Sequence, residues 1–150
     1  MRQIYLIFSI LLVFLTSCDK DDLPQSDVQF SVIGKGDSFP TDKSTAQRHL
    51  VINDIKSWNN LKKEMNTAGN LSKNLKETNI DFSTFQVIAV IDKNQNNSGH
   101  SIDIISLNEN RNTIIVKVEK LKNGNSSTKK SRPYDIIKIA KTDKKIVFEQ

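Results

Sequence analysis

The sequence predicts an α+β domain: a single, largely antiparallel β-sheet with one main helix, about residues 54–66, packed on one face. Three observations carry that expectation. Apolar residues alternate with polar ones in several short stretches, and one stretch around Trp58 repeats instead at helical spacing. One run, VIAVI at 87–91, has no polar member, as in a strand covered on both faces. The later stretches are joined by short polar segments of the kind that connect antiparallel neighbours.

In chain order, residues 1–17 read as a signal peptide. Arg2 is followed by Ile4 to Leu15 without a charge and then by the small residues Thr16 and Ser17. Those 12 positions fall short of the roughly 20 apolar residues that cross a bilayer. The run closes in LTSC, residues 15–18, which resembles the bacterial lipobox; the resemblance implies that Cys18 is lipidated and becomes the first residue of the mature chain. Cys18 is the only cysteine, so it has no partner for a disulfide, and a free thiol is a liability in an oxidising compartment. One acyl chain, at about 0.8 kcal/mol per buried methylene, holds a protein marginally, whereas the several chains of such a lipoprotein hold it stably.

Residues 18–27 read as the lipidated tether, charged at Asp19, Lys20, Asp21 and Asp22 and stiffened by Pro24. The order Lys20, Asp21, Asp22 resembles the surface-export signal of lipoproteins in the Bacteroidetes, which implies an outer membrane lipoprotein exposed at the cell surface. Asp19 directly after Cys18 also resembles the inner-membrane retention signal of enteric bacteria. The Asn, Lys and Ile bias of the chain suits an AT-rich genome and favours the first address, with a periplasmic face as its alternative.

The mature chain, residues 18–150, is long enough to bury roughly two-thirds of its unfolded surface in one core, and residues 28–150 read as that one domain. Val28, Phe30 and Val32 alternate with polar neighbours and predict a strand ending near Ile33. Gly34, Gly36 and Pro40 predict a loop over 34–46. A short strand follows at 50–52, and Asn53 or Asp54 can cap the next helix. In that helix Ile55, Trp58, Leu61 and Met65 form one apolar stripe, which makes Trp58 a core anchor; Gly69 marks the exit. Leu71 and Leu75 permit a second short helix within 70–79. After VIAVI, strands are predicted at 102–107, at 114–118 with Ile114, Val116 and Val118 inward, at 134–140, and at 146–148 beyond a turn at 142–144. The connection from Lys122 to Arg132 is rich in Lys, Asn, Ser and Gly and predicts a mobile loop.

Charge is unevenly spread: residues 109–150 hold 11 basic and 5 acidic side chains, against 10 and 12 in residues 19–108. Nucleic-acid platforms interleave basic residues with aromatics, and only Tyr134 and Phe148 are aromatic in the basic third. No nucleic acid is therefore expected. The basic residues Lys129, Lys130 and Arg132, with the adjoining edge strand, are the candidate partner-binding surface.

Catalytic and metal motifs are sparse. SGHS at 98–101 sets His100 beside Ser98 and Ser101, but neighbours in an extended chain point to opposite faces, so His100 and Ser101 are poorly placed to pair. His49 starts a strand of its own. Asp92, Asn94, Asn96 and Asp103 stand at positions 1, 3, 5 and 12 of a calcium-loop spacing, yet Asn97 occupies the glycine position and Asp103 replaces the bidentate glutamate. The stretch reads as an Asn-rich hairpin loop. The sequons at Asn70, Asn96 and Asn125 carry no expectation in a bacterial lipoprotein. No catalytic residue, metal or cofactor is assigned.

A larger pattern joins these pieces. INDIKSWNNLKKEM at 52–65, IDFSTFQVIAVI at 80–91, SGHSIDI at 98–104, RPYDIIKI at 132–139 and KKIVFE at 144–149 follow one another in an order and spacing similar to the C-terminal domain of PrcB, a lipoprotein subunit of a surface protease complex. The similarity runs from about residue 28 to the end, and departs from the family at His100, Asn97 and Ser98. It implies a non-catalytic accessory subunit that binds and stabilises an exported protease or another surface protein. A small-ligand or glycan-binding module is the rival expectation, and it would need a concave patch with exposed aromatics.

Overall fold

The computed structural model describes residues 25–41 and 46–150. Eight strands and one α-helix follow in the order β1 Ser26–Asp27, β2 Ser31–Gly36, β3 Arg48–Ile52, α1 Ile55–Met65, β4 Phe85–Ile91, β5 Asp103–Glu109, β6 Thr113–Glu119, β7 Tyr134–Ala140 and β8 Lys145–Glu149, with a 3-10 turn at Leu71–Asn74. The fold is α+β and its one α-helix lies where the periodicity placed it.

There are two sheets rather than the single one expected. β2, β7, β4 and β3 form a central sheet in that order, and β1, β5, β6 and β8 form an outer one. The reason lies in β4 and β7. Val87, Ala89 and Ile91 of β4 and Tyr134 and Ile136 of β7 face one way and pack with Trp58, Leu61 and Met65 of α1. Ile88 and Val90, with Ile137 and Ile139, face the other way and pack with Ile104, Leu107, Ile114, Val116 and Val118 of the outer sheet. A single helix covers only the first face. Burying each large side chain of the second face contributes about 1.5–3 kcal/mol, and the outer sheet supplies that cover. The layers run helix, central sheet, outer sheet.

Asp54 caps α1: its carboxylate accepts from the Ser57 amide at 2.8 Å and from Ser57 Oγ at 2.7 Å. Trp58 is fully buried and its indole Nε1 donates to Thr78 O at 2.8 Å. Ile55, however, is 55 % exposed. At about 100° per residue it is turned roughly 90° from the mean direction of Trp58, Leu61 and Met65, so it does not belong to their stripe.

Three strand expectations are corrected. The stretch 28–33 is not one strand, because residues 28–30 carry the chain from β1 in the outer sheet to β2 in the central one, with the Val28 amide donating to Leu107 O at 2.9 Å. Gly34 does not interrupt β2, which runs on to end at Gly36. Both are places of close approach: a Cβ on Gly34 would collide with Leu75 Cδ2, and one on Gly36 would stand 3.0 Å from Tyr134 Cε1. Finally, β8 does not pair with β7 across the 142–144 turn. That turn passes between sheets, and β8 lies parallel to β6, Ile114 opposite Ile146 and Val116 opposite Phe148.

Candidate functional site

Asp103, one of the polar residues singled out in the sequence, joins two that were not, Lys35 and Asp135, at the end of the sandwich where β5 and β7 begin. Asp103, from the first position of β5, and Asp135, from the second position of β7, are both buried and both meet the ammonium of Lys35 from β2. Asp103 is in direct ion contact with Lys35, Asp135 Oδ2 lies 3.6 Å from Nζ and also accepts from the Ile104 amide at 3.0 Å, and Ser101 Oγ donates to Asp103 Oδ2. Lys35 thus ties the central sheet to the outer one. Burial opposes ionisation of Asp103, but hydrogen bonds from Lys35 and Ser101 outweigh it and hold its carboxyl below the ordinary aspartate range. Burial pushes the Asp135 carboxyl up, and its Oδ1 has no partner among the described residues. The glycines around Lys35 predict a loop there, so the sequence singles out Asp103 but not its clasp with Lys35 and Asp135.

Asp92 and Arg132 form a second buried node. Lys120 Nζ donates to Asp92 Oδ1 at 2.7 Å and Gln95 Nε2 to Oδ2 at 2.8 Å. The two carboxylates of the calcium spacing are therefore held by lysines, Asp92 by Lys120 and Asp103 by Lys35. Arg132 is fully buried: Nε donates to Asp92 O at 3.1 Å, Nη1 donates to Pro40 O at 2.9 Å, and the guanidinium lies over the Phe39 ring at 5.6 Å. It is not a surface residue, which corrects its place in the candidate partner-binding surface. Lys129 and Lys130 are exposed. The adjoining strand, β7, is no edge either, since it lies between β2 and β4. Arginine there serves as a fork that satisfies buried carbonyls, a role its long stem and planar head suit.

The 122–132 connection is also more tied than its composition suggests. Gly124 N donates to Gly99 O at 3.2 Å, Asn125 N to Ser98 O at 2.9 Å, and Gln95 and Ser131 exchange backbone hydrogen bonds. Gly99 has φ +82, where a Cβ would also stand 2.8 Å from Asn125 Nδ2, so glycine is required there. His100 Nε2 is 2.8 Å from Asn97 Oδ1, while Ser101 Oγ is turned to Asp103. The two side chains have different partners, as the alternation of an extended chain predicts. His49 stacks on Phe148, centroids 4.5 Å apart, with Nε2 2.9 Å from Gln47 Nε2.

The far edge of the central sheet is open along its backbone among the described residues. β3 pairs only with β4. Among the described residues, Leu50, Val51 and Ile52 make no backbone hydrogen bond beyond that pairing. Between β3 and α1 runs an open groove of about 260 Å³, lined by Leu50, Val51, Ile52 and Leu61 with the polar Ser57 and Asn60. Arg48 and Glu64 close one end with a two-pronged ion pair. The edge strand was predicted, but not its being an edge, which depends on sheet order. Cys18, Lys20, Asp21 and Asp22 lie outside the described residues, and among the described residues no helix is long and apolar enough to cross a membrane. No protein-family model, no curated protein and no solved structure matches this chain.

Proposed function

We propose that this chain is a membrane-anchored, non-catalytic lipoprotein that binds and stabilises a partner protein, an exported protease being the partner class suggested by the resemblance to the PrcB C-terminal domain. In this reading Cys18 carries the acyl chains, Lys20, Asp21 and Asp22 direct the protein to the outer face of the outer membrane, and residues 28–150 are the binding body.

The observation that supports the reading is the edge of β3, which has no backbone partner on its outer side among the described residues, beside its groove. An unpaired strand edge is a template for another chain, and proteins normally blunt it with charge, proline or cover. β3 reads RHLVI, with no proline, and its one charged residue, Arg48, is turned to Glu64 of α1. Its position also suits a tethered protein. β1, where the described chain begins, is at one end of the outer sheet, joined through residues 28–30 to β2 at one end of the central sheet; β3 closes the opposite end. β1 and the β3 edge are therefore on opposite flanks of the sandwich.

Two measurements test this. Cells given radiolabelled palmitate should label the parent protein and leave a Cys18→Ala variant unlabelled and released from the membrane fraction; an unlabelled parent would remove the anchor. Crosslinking on intact cells should recover the same envelope protein from the parent repeatedly, and recovery of no reproducible partner would overturn the binding role.

A further inference from the structure

We infer that β3 and the groove beside it accept an extended, acidic segment of the partner chain, which adds to the central sheet as a fifth strand. This rests on the partner-binding reading above and specifies its site and chemistry.

The argument begins with the four sheet edges. β1 is two residues long. β2 is partly covered, since the Lys76 amide donates to Ile33 O at 2.9 Å. β8 carries charged Lys145 and Glu149 at its two ends. β3 combines five residues, an outer side without a backbone partner among the described residues, and a neighbouring groove; its His49 side chain stacks on Phe148. On an edge strand, alternate residues turn their N–H and C=O groups outward, so an incoming strand meets a ready ladder. Its side chains would fall alternately toward Leu50, Ile52 and Leu61 on the helix face and toward Val51 on the other. A strand edge for the backbone and pockets for alternate side chains are the two components of strand-addition recognition.

Charge selects the occupant. On α1, Ser57 and Asn60 line the groove, and at about 100° per residue the next stripe outward holds Lys56 and Lys63. Both lysines are exposed, and neither forms an ion pair among the described residues. Glu64 is matched by Arg48, and Asp54, the charged helix cap, offsets one of the two lysines. The rim is thus net basic. A second copy pairing β3 with β3 would bring two such rims together, which repels; a segment of another chain with acidic side chains is drawn in.

The test uses the full-length protein in detergent micelles and a blocked synthetic octapeptide alternating valine and glutamate, read by amide hydrogen exchange. Protection should rise within 48–52 and 57–64. A peptide N-methylated along one edge should lose binding while its counterpart N-methylated along the other edge keeps it. The double variant Lys56→Glu, Lys63→Glu should weaken the glutamate peptide about fivefold and favour a valine–lysine peptide by a similar factor, the magnitude of two exposed charge pairs. Equal binding of both N-methylated peptides, protection confined to 122–132, or no protection would overturn the inference. The partner-binding reading is judged separately, by placing a photocrosslinker at Val51 or Lys129 in intact cells. Capture only through Lys129 removes this site and keeps the reading, and capture through neither position removes both.

Discussion

The two edges of the central sheet are finished in opposite ways. At β2 the outer side takes a hydrogen bond from Lys76, Leu75 fills the space left by Gly34, Lys35 reaches across to Asp103 and Asp135, and the segment that follows is gripped by Arg132. At β3, among the described residues, the backbone pairs only with β4, the His49 ring stacks on Phe148, and a groove runs along the helix side. The difference teaches where this molecule uses its side chains for itself and where it leaves backbone available. Substitutions on the β2 flank should therefore register as stability, and those on the β3 rim as binding.

The largest effect should come from Arg132→Leu. Its guanidinium satisfies the buried carbonyls of Asp92 and Pro40, and each carbonyl left unpaired costs about 1–3 kcal/mol. A loss on the order of 4 kcal/mol is expected in urea titrations. Lys129→Ala, on the exposed part of the same basic segment, should stay within about 0.5 kcal/mol. Equal losses would mean that the burial of Arg132 does not distinguish them.

Next comes Lys35→Met, which leaves Asp103 and Asp135 facing each other without a cation. Breaking a buried pair costs about 3–5 kcal/mol, but the Lys35 side chain is 46 % exposed, so about 2 kcal/mol is expected near neutral pH. The sign with pH follows from the two carboxyls. Asp103, held low by the parent's hydrogen bonds, contributes stability above the ordinary aspartate value of 3.8 and loses it as pH falls through its folded value. Asp135, pushed up by burial, is most favourable when protonated, and its contribution is lost as pH rises through its folded value. The deficit of Lys35→Met should therefore shrink on acidification, as the variant's carboxyls take up protons and the parent loses its ion pair. Melting temperatures of both proteins across a pH series read this directly, and a deficit that grows in acid would contradict the clasp.

The smallest of the three is Gly34→Ala. The new methyl meets the end of the Leu75 side chain, which can turn aside, so a loss of about 1 kcal/mol is expected. The matching change on the open edge, Val51→Ala, should cost less, because Val51 is 38 % exposed. Chemical denaturation of the pair sharpens the comparison; a costlier Val51→Ala would mean that the β3 edge is covered.

Much of the fold was legible because local signals agreed with one another. Asp54 supplied a cap, Trp58, Leu61 and Met65 supplied a helical stripe, and VIAVI announced a strand covered on both faces. Ile114, Val116 and Val118 alternate inward as their spacing indicated. The readings that failed depended on what lies across space. Gly34 and Gly36 look like strand breakers along the chain, yet a neighbouring leucine and a tyrosine ring make them strand residues. Arg132 looks like part of a basic surface until Phe39, Pro40 and Asp92 close over it. Of the candidate binding edge, the strand could be anticipated and its outer position could not.

The residue pattern alone settled which segments are helical or extended and which side chains seek cover, because periodicity, capping and burial preference act over a few neighbouring positions. It also holds the Cys18 motif on which the proposed anchor rests. Sheet order decided the rest: that the second apolar face of β4 and β7 meets another sheet, that β8 runs parallel to β6, that one lysine joins two aspartates, and that β3 is left with an open side. Those outcomes depend on which distant strands pair, and pairing is chosen by the fit of whole surfaces rather than by any one stretch of chain.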